Sequence, residues 1–411
     1  MGYNHSYSKL EQAFSSIKSE NIKKVKLDNI EIYKFEFHSS FHNLLPGNKQ
    51  YRCDKHDLDF DDTISYNNKI KGIDKSVNKK DVFVNENINF NYFLLKPKNG
   101  KPVKKVTFLF HGLNEKSWDK YLPWGEAISE RTQSTIVFFP IAFHMQRAPL
   151  EWSEKRKMYN LSKKRKEKYP NIINSTLSNV AISMRLHSMP QRMIWSGLQT
   201  YYDIIQFIKD CKNDRHEIID KDFTFDIFAY SIGGFLAQIL KLSNFNNYFK
   251  ETKLCLFCGG AVINRISPVS KFILDSEANI ALYAYLAEHF DSFLKKDEFL
   301  NHFIKEDHFE GKVFHAMLEY QKMRDFREGL FKKIKQDIYA ITLSKDTVIP
   351  SFEVFNSLQG AYRNIDIKVE EFDFNYRYSH ENPFPINSND KKQVDEKFNM
   401  IFDKIGDFYN K

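Results

Sequence analysis

Three side-chain types that together can open an acyl bond occur in a suggestive order along the chain: Ser231, Asp346 and His380. Ser231 stands in A-Y-S-I-G-G, after the β-rich run F-T-F-D-I-F-A and before an apolar stretch of helical character. A serine on so sharp a strand-to-helix turn needs small residues two positions to either side, and Ala229 and Gly233 supply them. The helix that follows directs the positive end of its dipole toward charge developing at the serine. Asp346 lies in S-K-D-T-V-I-P and His380 in Y-S-H-E-N-P-F-P, each just after a run with strand character. A carboxylate that orients an imidazole, and an imidazole that takes a serine proton, make a nucleophilic relay. Glu381, Asp373 and Asp275 are less well placed to serve as the acid.

A relay of this kind also needs donors for the oxyanion. The strand V-T-F-L-F leads into His111, Gly112, Leu113 and Asn114. The backbone N–H groups of Leu113 and Ile232 are the expected pair, and losing one such donor typically costs about 2.7–4 kcal/mol of transition-state stabilisation. His111 is read as a buried, structural histidine.

The elements that must position these residues alternate strand and helix. Strands are expected at 106–110, 135–140, 223–229, 254–259 and 337–343, with a last one in I-D-I-K-V-E-E-F. Helices are expected around 123–131, 198–211, 233–242, 351–358 and 391–409. Repeated β-then-α units predict a mostly parallel sheet with helices on both faces, and chemistry at the carboxyl ends of its strands. Farther upstream, a helix is expected over Leu10–Ile22 and a strand where Tyr33, Phe35 and Phe37 alternate with polar residues. A long polar loop is expected over 54–80, with order resuming at Val82. The alternation at 90–94, followed by Asn99-Gly100, predicts a hairpin into the strand at 106–110.

With F-H-G-L, A-Y-S-I-G-G, D-T-V-I-P and the late S-H-E in place, the sequence resembles the α/β-hydrolase superfamily from about Val82 onward. The resemblance implies an α/β-hydrolase fold, Ser231 as nucleophile, His380 as general base, Asp346 as its orienting acid, and Leu113 and Ile232 as the oxyanion hole. Ala229 replaces the commoner glycine. The expected organisation is an N-terminal extension (1–81) and a hydrolase domain (82–411) with insertions at about 141–195 and, as a helical cap, 268–335. The expected activity is hydrolysis of a small-molecule carboxylic ester or related acyl bond through an acyl-enzyme. The alternative is a catalytically silent protein that binds a small ligand in the same pocket.

The cap carries twelve Phe or Tyr, suited to its own core or to a roof over an acyl pocket. The first insertion offers His144, Arg147, Arg185 and Arg192, read either as contacts for an anionic substrate group, chiefly His144 and Arg147, or as loop-pinning ion pairs. No metal or organic cofactor is implied. Cys255 and Cys258 form C-L-F-C inside an apolar run and read as part of a buried strand, with no second cysteine pair to complete a zinc site.

The net charge is +8, from 61 Lys and Arg against 53 Asp and Glu, and the basic excess concentrates in 153–170. That segment reads as a solvated face able to touch an anionic surface. No nucleic-acid module accompanies it, so no nucleic acid is expected as partner. The longest apolar run, 254–263, is too short to span a bilayer. With no secretory signal visible and few cysteines, the expected location is cytoplasmic.

Overall fold

The computed structural model describes residues 2–18, 22–41, 50–61, 89–98, 100–305, 308–386 and 388–411. Its strands are β1 (Lys24–Lys26), β2 (Ile30–His38), β3 (Gln50–Cys53), β4 (Leu58–Asp61), β5 (Asn89–Pro97), β6 (Val103–Phe110), β7 (Thr135–Phe138), β8 (Ile219–Tyr230), β9 (Leu254–Phe257), β10 (Ile338–Leu343) and β11 (Lys368–Phe372). Nine of them form one sheet in the order β1-β2-β5-β7-β6-β8-β9-β10-β11, while β3 and β4 form a separate two-stranded sheet. From β7 across to β11 every pairing is parallel. The other side of the sheet, β1 to β5 and on to β7, is antiparallel.

The central strands are buried on both faces, and their side chains alternate between two cores. Phe108, Phe110, Ile227, Ala229, Leu254, Leu256, Ile338 and Ala340 enter one. Leu109, Phe228, Tyr230, Cys255, Phe257, Tyr339, Ile341 and Leu343 enter the other. This two-sided burial is why the strands read as unbroken apolar runs. The helices Tyr3–Ile17, Tyr121–Thr132 and Lys391–Asn410 cover the second core. Arg192–Lys212, Ile232–Ser243 and Ser351–Leu358 cover the first, together with both insertions.

Several expectations change. Within the expected N-terminal extension, β2 joins the main sheet, pairing with β5 over nine residues. β5 and β6 do not form the expected hairpin, since β7 lies between them and pairs with both. A parallel neighbour with fully buried side chains has taken the place that a two-strand turn would have filled. Asn99 itself, and residues 62–88 with the expected onset of order at Val82, lie outside the described residues. The start of the expected loop at 54–80 is instead the β3–β4 hairpin. The first helix begins at Tyr3 rather than Leu10 and stops at Ile17, leaving Ile22 exposed. Its start is fixed by tertiary packing, with Tyr3 ring to ring against Phe398 at 4.7 Å and the Ser6 hydroxyl on Glu126.

The basic segment is largely the helix Lys155–Lys168, which keeps Met158, Ser162 and Arg165 buried and its remaining cations outward. Arg165 makes a forked pair with Asp275, Nε to Oδ2 at 2.7 Å and Nη2 to Oδ1 at 2.9 Å. Asp275 also caps the helix Ser276–Ala284 by accepting from the Ala278 N–H. One buried ion pair therefore ties the first insertion to the second.

Candidate active site

Ser231 follows the last residue of β8 directly, with φ 56° and ψ −125°. A non-glycine residue in that region is strained, and the packing around it must hold it there. Gly233 shows how tight the turn is. A Cβ on it would stand 2.7 Å from the Phe110 carbonyl oxygen and 2.8 Å from that of His111. Only glycine lets the new helix start so close to the end of β6.

His380 arrives from the loop after β11, and its Nε2 lies 2.8 Å from Ser231 Oγ. Its Nδ1 lies 2.7 Å from Asp346 Oδ2. The carboxylate fixes the imidazole proton on Nδ1 and leaves the Nε2 lone pair facing the serine hydroxyl. Asp346, in the turn after β10, is itself held: its Oδ1 accepts the Val348 and Ile349 N–H groups at 2.9 and 2.8 Å. All three residues are buried. The structure thus brings together the three residues singled out by sequence order. Asp275 is engaged with Arg165, and Asp373 with Lys345 and Tyr378.

Three further residues border the relay, and none of them was placed in the site from sequence. Tyr230 donates its hydroxyl to the His380 carbonyl and stacks its ring on the imidazole at 5.4 Å. The Cys258 thiol, pushed well above its usual range by burial and by the neighbouring Asp346 charge, stays protonated and bonds to that carboxylate. Tyr121 accepts the Gly112 N–H on its hydroxyl oxygen at 2.9 Å and donates its own hydroxyl hydrogen bond to Glu115 at 2.9 Å. Tyr230 and Cys258 sit inside quoted motifs, but nothing in their spacing shows where their polar tips go.

With Gly112 occupied, the Leu113 and Ile232 N–H groups have no hydrogen-bond partner among the described residues. Leu113 and Ile232 border a cavity of about 60 Å³, together with Ile141, His144, Ile182, Leu186 and Phe314. Of the cap's aromatics, Phe314 is the one on this cavity. Tyr285, Phe290, Phe299, Phe303 and Phe331 are buried in the core on that face of the sheet, with Phe299 stacked on Trp195.

His111 has the structural place expected of it. Its Nδ1 donates to the Gly112 carbonyl at 2.8 Å, and its Nε2 accepts the Ile141 N–H at 3.0 Å. Burial, with His144 close by, holds its pKa well below the ordinary histidine range. His144 is on the cavity wall, its Nδ1 bonded to the Ala142 carbonyl and its buried Nε2 without a hydrogen-bond partner among the described residues. For Arg147 the contacts fit the loop-pinning alternative: its guanidinium bonds Asp203 at 2.7 Å and the Pro140 carbonyl at 3.0 Å, and it packs on the Phe90 ring. Arg185 lies over Phe143 and donates to Ser196, while Arg192 bonds the Arg185 carbonyl and Ser188. A separate cluster of Cys53, His56, His302 and His308 gathers outside this site. The sequence signal for it was C-D-K-H at 53–56.

The mostly parallel sheet, the strained serine after a central strand and an acid and a histidine after later strands define the α/β-hydrolase fold. Within it the chain belongs to a family of unknown function (DUF6051), whose model matches residues 1–410. No curated protein matches the sequence. Among solved structures, a carboxyl esterase from Tuber melanosporum is similar at 11% identity and TM-score 0.41, over 78% of this chain and 81% of that one. A thermostable esterase from Pseudomonas putida is similar at 11% identity and TM-score 0.40, over 100% of this chain and 91% of that one. An esterase from Pyrobaculum calidifontis is similar at 11% identity and TM-score 0.39, over 78% and 80%.

Proposed function

We propose that this protein is a serine hydrolase that cleaves a carboxylic ester or related acyl bond of a small molecule. The observation that carries the reading is the continuous relay from Asp346 through His380 to Ser231, at 2.7 and 2.8 Å. Ser231 Oγ attacks the acyl carbon as its proton passes to His380 Nε2. The Leu113 and Ile232 N–H groups receive the oxyanion, and the alcohol leaves with the proton from His380. Water, deprotonated by the same imidazole, then opens the acyl-enzyme. The cavity beside Leu113 and Ile232 takes the acyl group. At about 60 Å³ it is small against the ~300–1,000 Å³ of common ligand pockets, which favours a short acyl chain. His144, on its wall with Nε2 unpartnered, is the polar contact offered to the substrate.

Labelling with a fluorophosphonate probe tests this reading. The wild type should be modified at Ser231 and should hydrolyse short aryl esters, and Ser231→Ala should do neither. Absence of both labelling and hydrolysis in the folded wild type would overturn the proposal in favour of a silent ligand-binding protein.

A further inference from the structure

We infer that Cys53, His56, His302 and His308 form a zinc site that fastens the β3–β4 hairpin to the cap. The four side chains offer one sulfur and three imidazole nitrogens, all within 4.8 Å of one another. Cys53 Sγ is 3.4 Å from His56 Nδ1 and 3.2 Å from His308 Nε2. His302 Nε2 is 3.0 Å from His56 Nδ1 and 3.2 Å from His308 Nε2. Around a tetrahedral zinc, with bonds of about 2.3 Å to sulfur and 2.0–2.1 Å to nitrogen, ligand atoms stand roughly 3.5 Å (S to N) and 3.3 Å (N to N) apart. Four of the six separations match these values to within about 0.4 Å, and the other two lie within 4.8 Å, so an ion at the centre requires only local side-chain adjustment.

The chemistry of the donors points the same way. His308 Nδ1 lies 2.8 Å from the Glu310 carboxylate, which keeps the proton on Nδ1 and turns the Nε2 lone pair inward. Glu310 is itself held by the Tyr202 hydroxyl. A carboxylate behind a histidine whose other nitrogen faces a thiol and two more imidazoles is the outer support that a metal ligand requires. One thiolate with three neutral imidazoles suits zinc better than the harder magnesium or calcium, and four protein ligands leave no open position, so the site is structural. Binding deprotonates Cys53, whose proton passes to solvent. Cys53 and His308 also border a cavity of about 570 Å³, which gives the ion a path in.

The placement explains what the ion does. An isolated two-stranded hairpin is marginally stable in water, and among the described residues β3–β4 pairs with no other strand. Cys53 ends β3 and His56 lies in the turn, while His302 is on the helix Glu298–Lys305 and His308 opens the helix Phe309–Ala316. The last of these helices carries Phe314 to the acyl cavity.

The test uses the full chain, prepared without a polyhistidine tag, incubated with equimolar zinc and dialysed before metal analysis. The wild type should retain about one zinc per chain, and Cys211→Ser should match it. Cys53→Ser and His302→Ala should retain little, and Glu310→Gln should bind 10–100-fold more weakly. Should those variants fail to fold, cobalt substitution of the wild type decides: a thiolate-to-cobalt charge-transfer band is expected. Zinc-free wild type, full retention in folded Cys53→Ser and His302→Ala, or bound cobalt without that band would each overturn the inference.

Discussion

Gly197 and Phe314 meet where two elements from distant parts of the chain close the cavity beside Leu113 and Ile232. The helix Arg192–Lys212 has no side chain at that point, and a Cβ there would stand 2.6 Å from Phe314 Cε2. The position of the ring is therefore set by an absence. Gly197→Ala should push Phe314 toward the cavity and narrow it, whereas Phe314→Leu should deepen it. Each additional methylene buried contributes about 0.8 kcal/mol, roughly fourfold in kcat/KM. Aryl acetate, butyrate and hexanoate should thus be reordered in opposite directions by the two variants. Parallel profiles would show that this contact does not govern acyl length.

Asp346→Asn isolates the role of the acid. The amide oxygen can still accept the Val348 and Ile349 N–H groups that position the side chain, so folding should be kept. The amide nitrogen, however, then faces His380 Nδ1 and forces the imidazole proton onto Nε2, where it blocks acceptance from Ser231. Probe labelling and ester hydrolysis should fall on the order of 10⁴-fold with little change in denaturant midpoint. A loss below tenfold would mean that another group orients the imidazole.

Acid should destabilise the fold through histidines buried as neutral bases. Burial pushes His144 and His216 down to about 4, and His111 well below its usual range. His216 accepts the Ile218 and Ile219 N–H groups on Nδ1 and contacts the Tyr92 hydroxyl through Nε2. In the unfolded chain such groups take a proton near pH 6.5. Their contribution is then complete above about pH 6.5 and is lost as pH falls toward 4, with a slope of up to about 1.4 kcal/mol per pH unit for each histidine. Urea midpoints measured from pH 7.5 to 4.5 should decline, and His216→Asn should decline less steeply. A profile flat to pH 4.5 would contradict this account.

What could be read from sequence followed from how local each signal was. The strands from β6 to β10 announce themselves as apolar runs because both faces are covered. The turn at Ser231 is written in Ala229 and Gly233, and the close approach of Phe110 and His111 demands the second of these. Asp346 and His380 were legible through order and placement alone. Arg147 was left with two readings because a guanidinium suits a substrate anion and a buried aspartate equally well, and only the fold sets Asp203 beside it. The hairpin into β6 failed for a similar reason: alternation and a turn dipeptide cannot reveal that β7 will come between. Cys53 and His308 are 255 residues apart, so local spacing could not join them.

The sheet's two outer strands bear on how the protein behaves in a crowded solution. An open sheet edge presents unpaired N–H and C=O groups on which another chain can add a strand, and a chain with 38 Phe and 21 Tyr has much to lose from such templating. β1 spans only three residues, with exposed Lys24 and Lys26 on either side of Val25. β11 spans five and carries Lys368, Glu370 and Glu371. A second molecule approaching either border would have to strip water from these charges to gain a few backbone bonds. The borders thus act as gatekeepers against fibril-like stacking, and their brevity keeps the aromatic interior from recruiting its own copies.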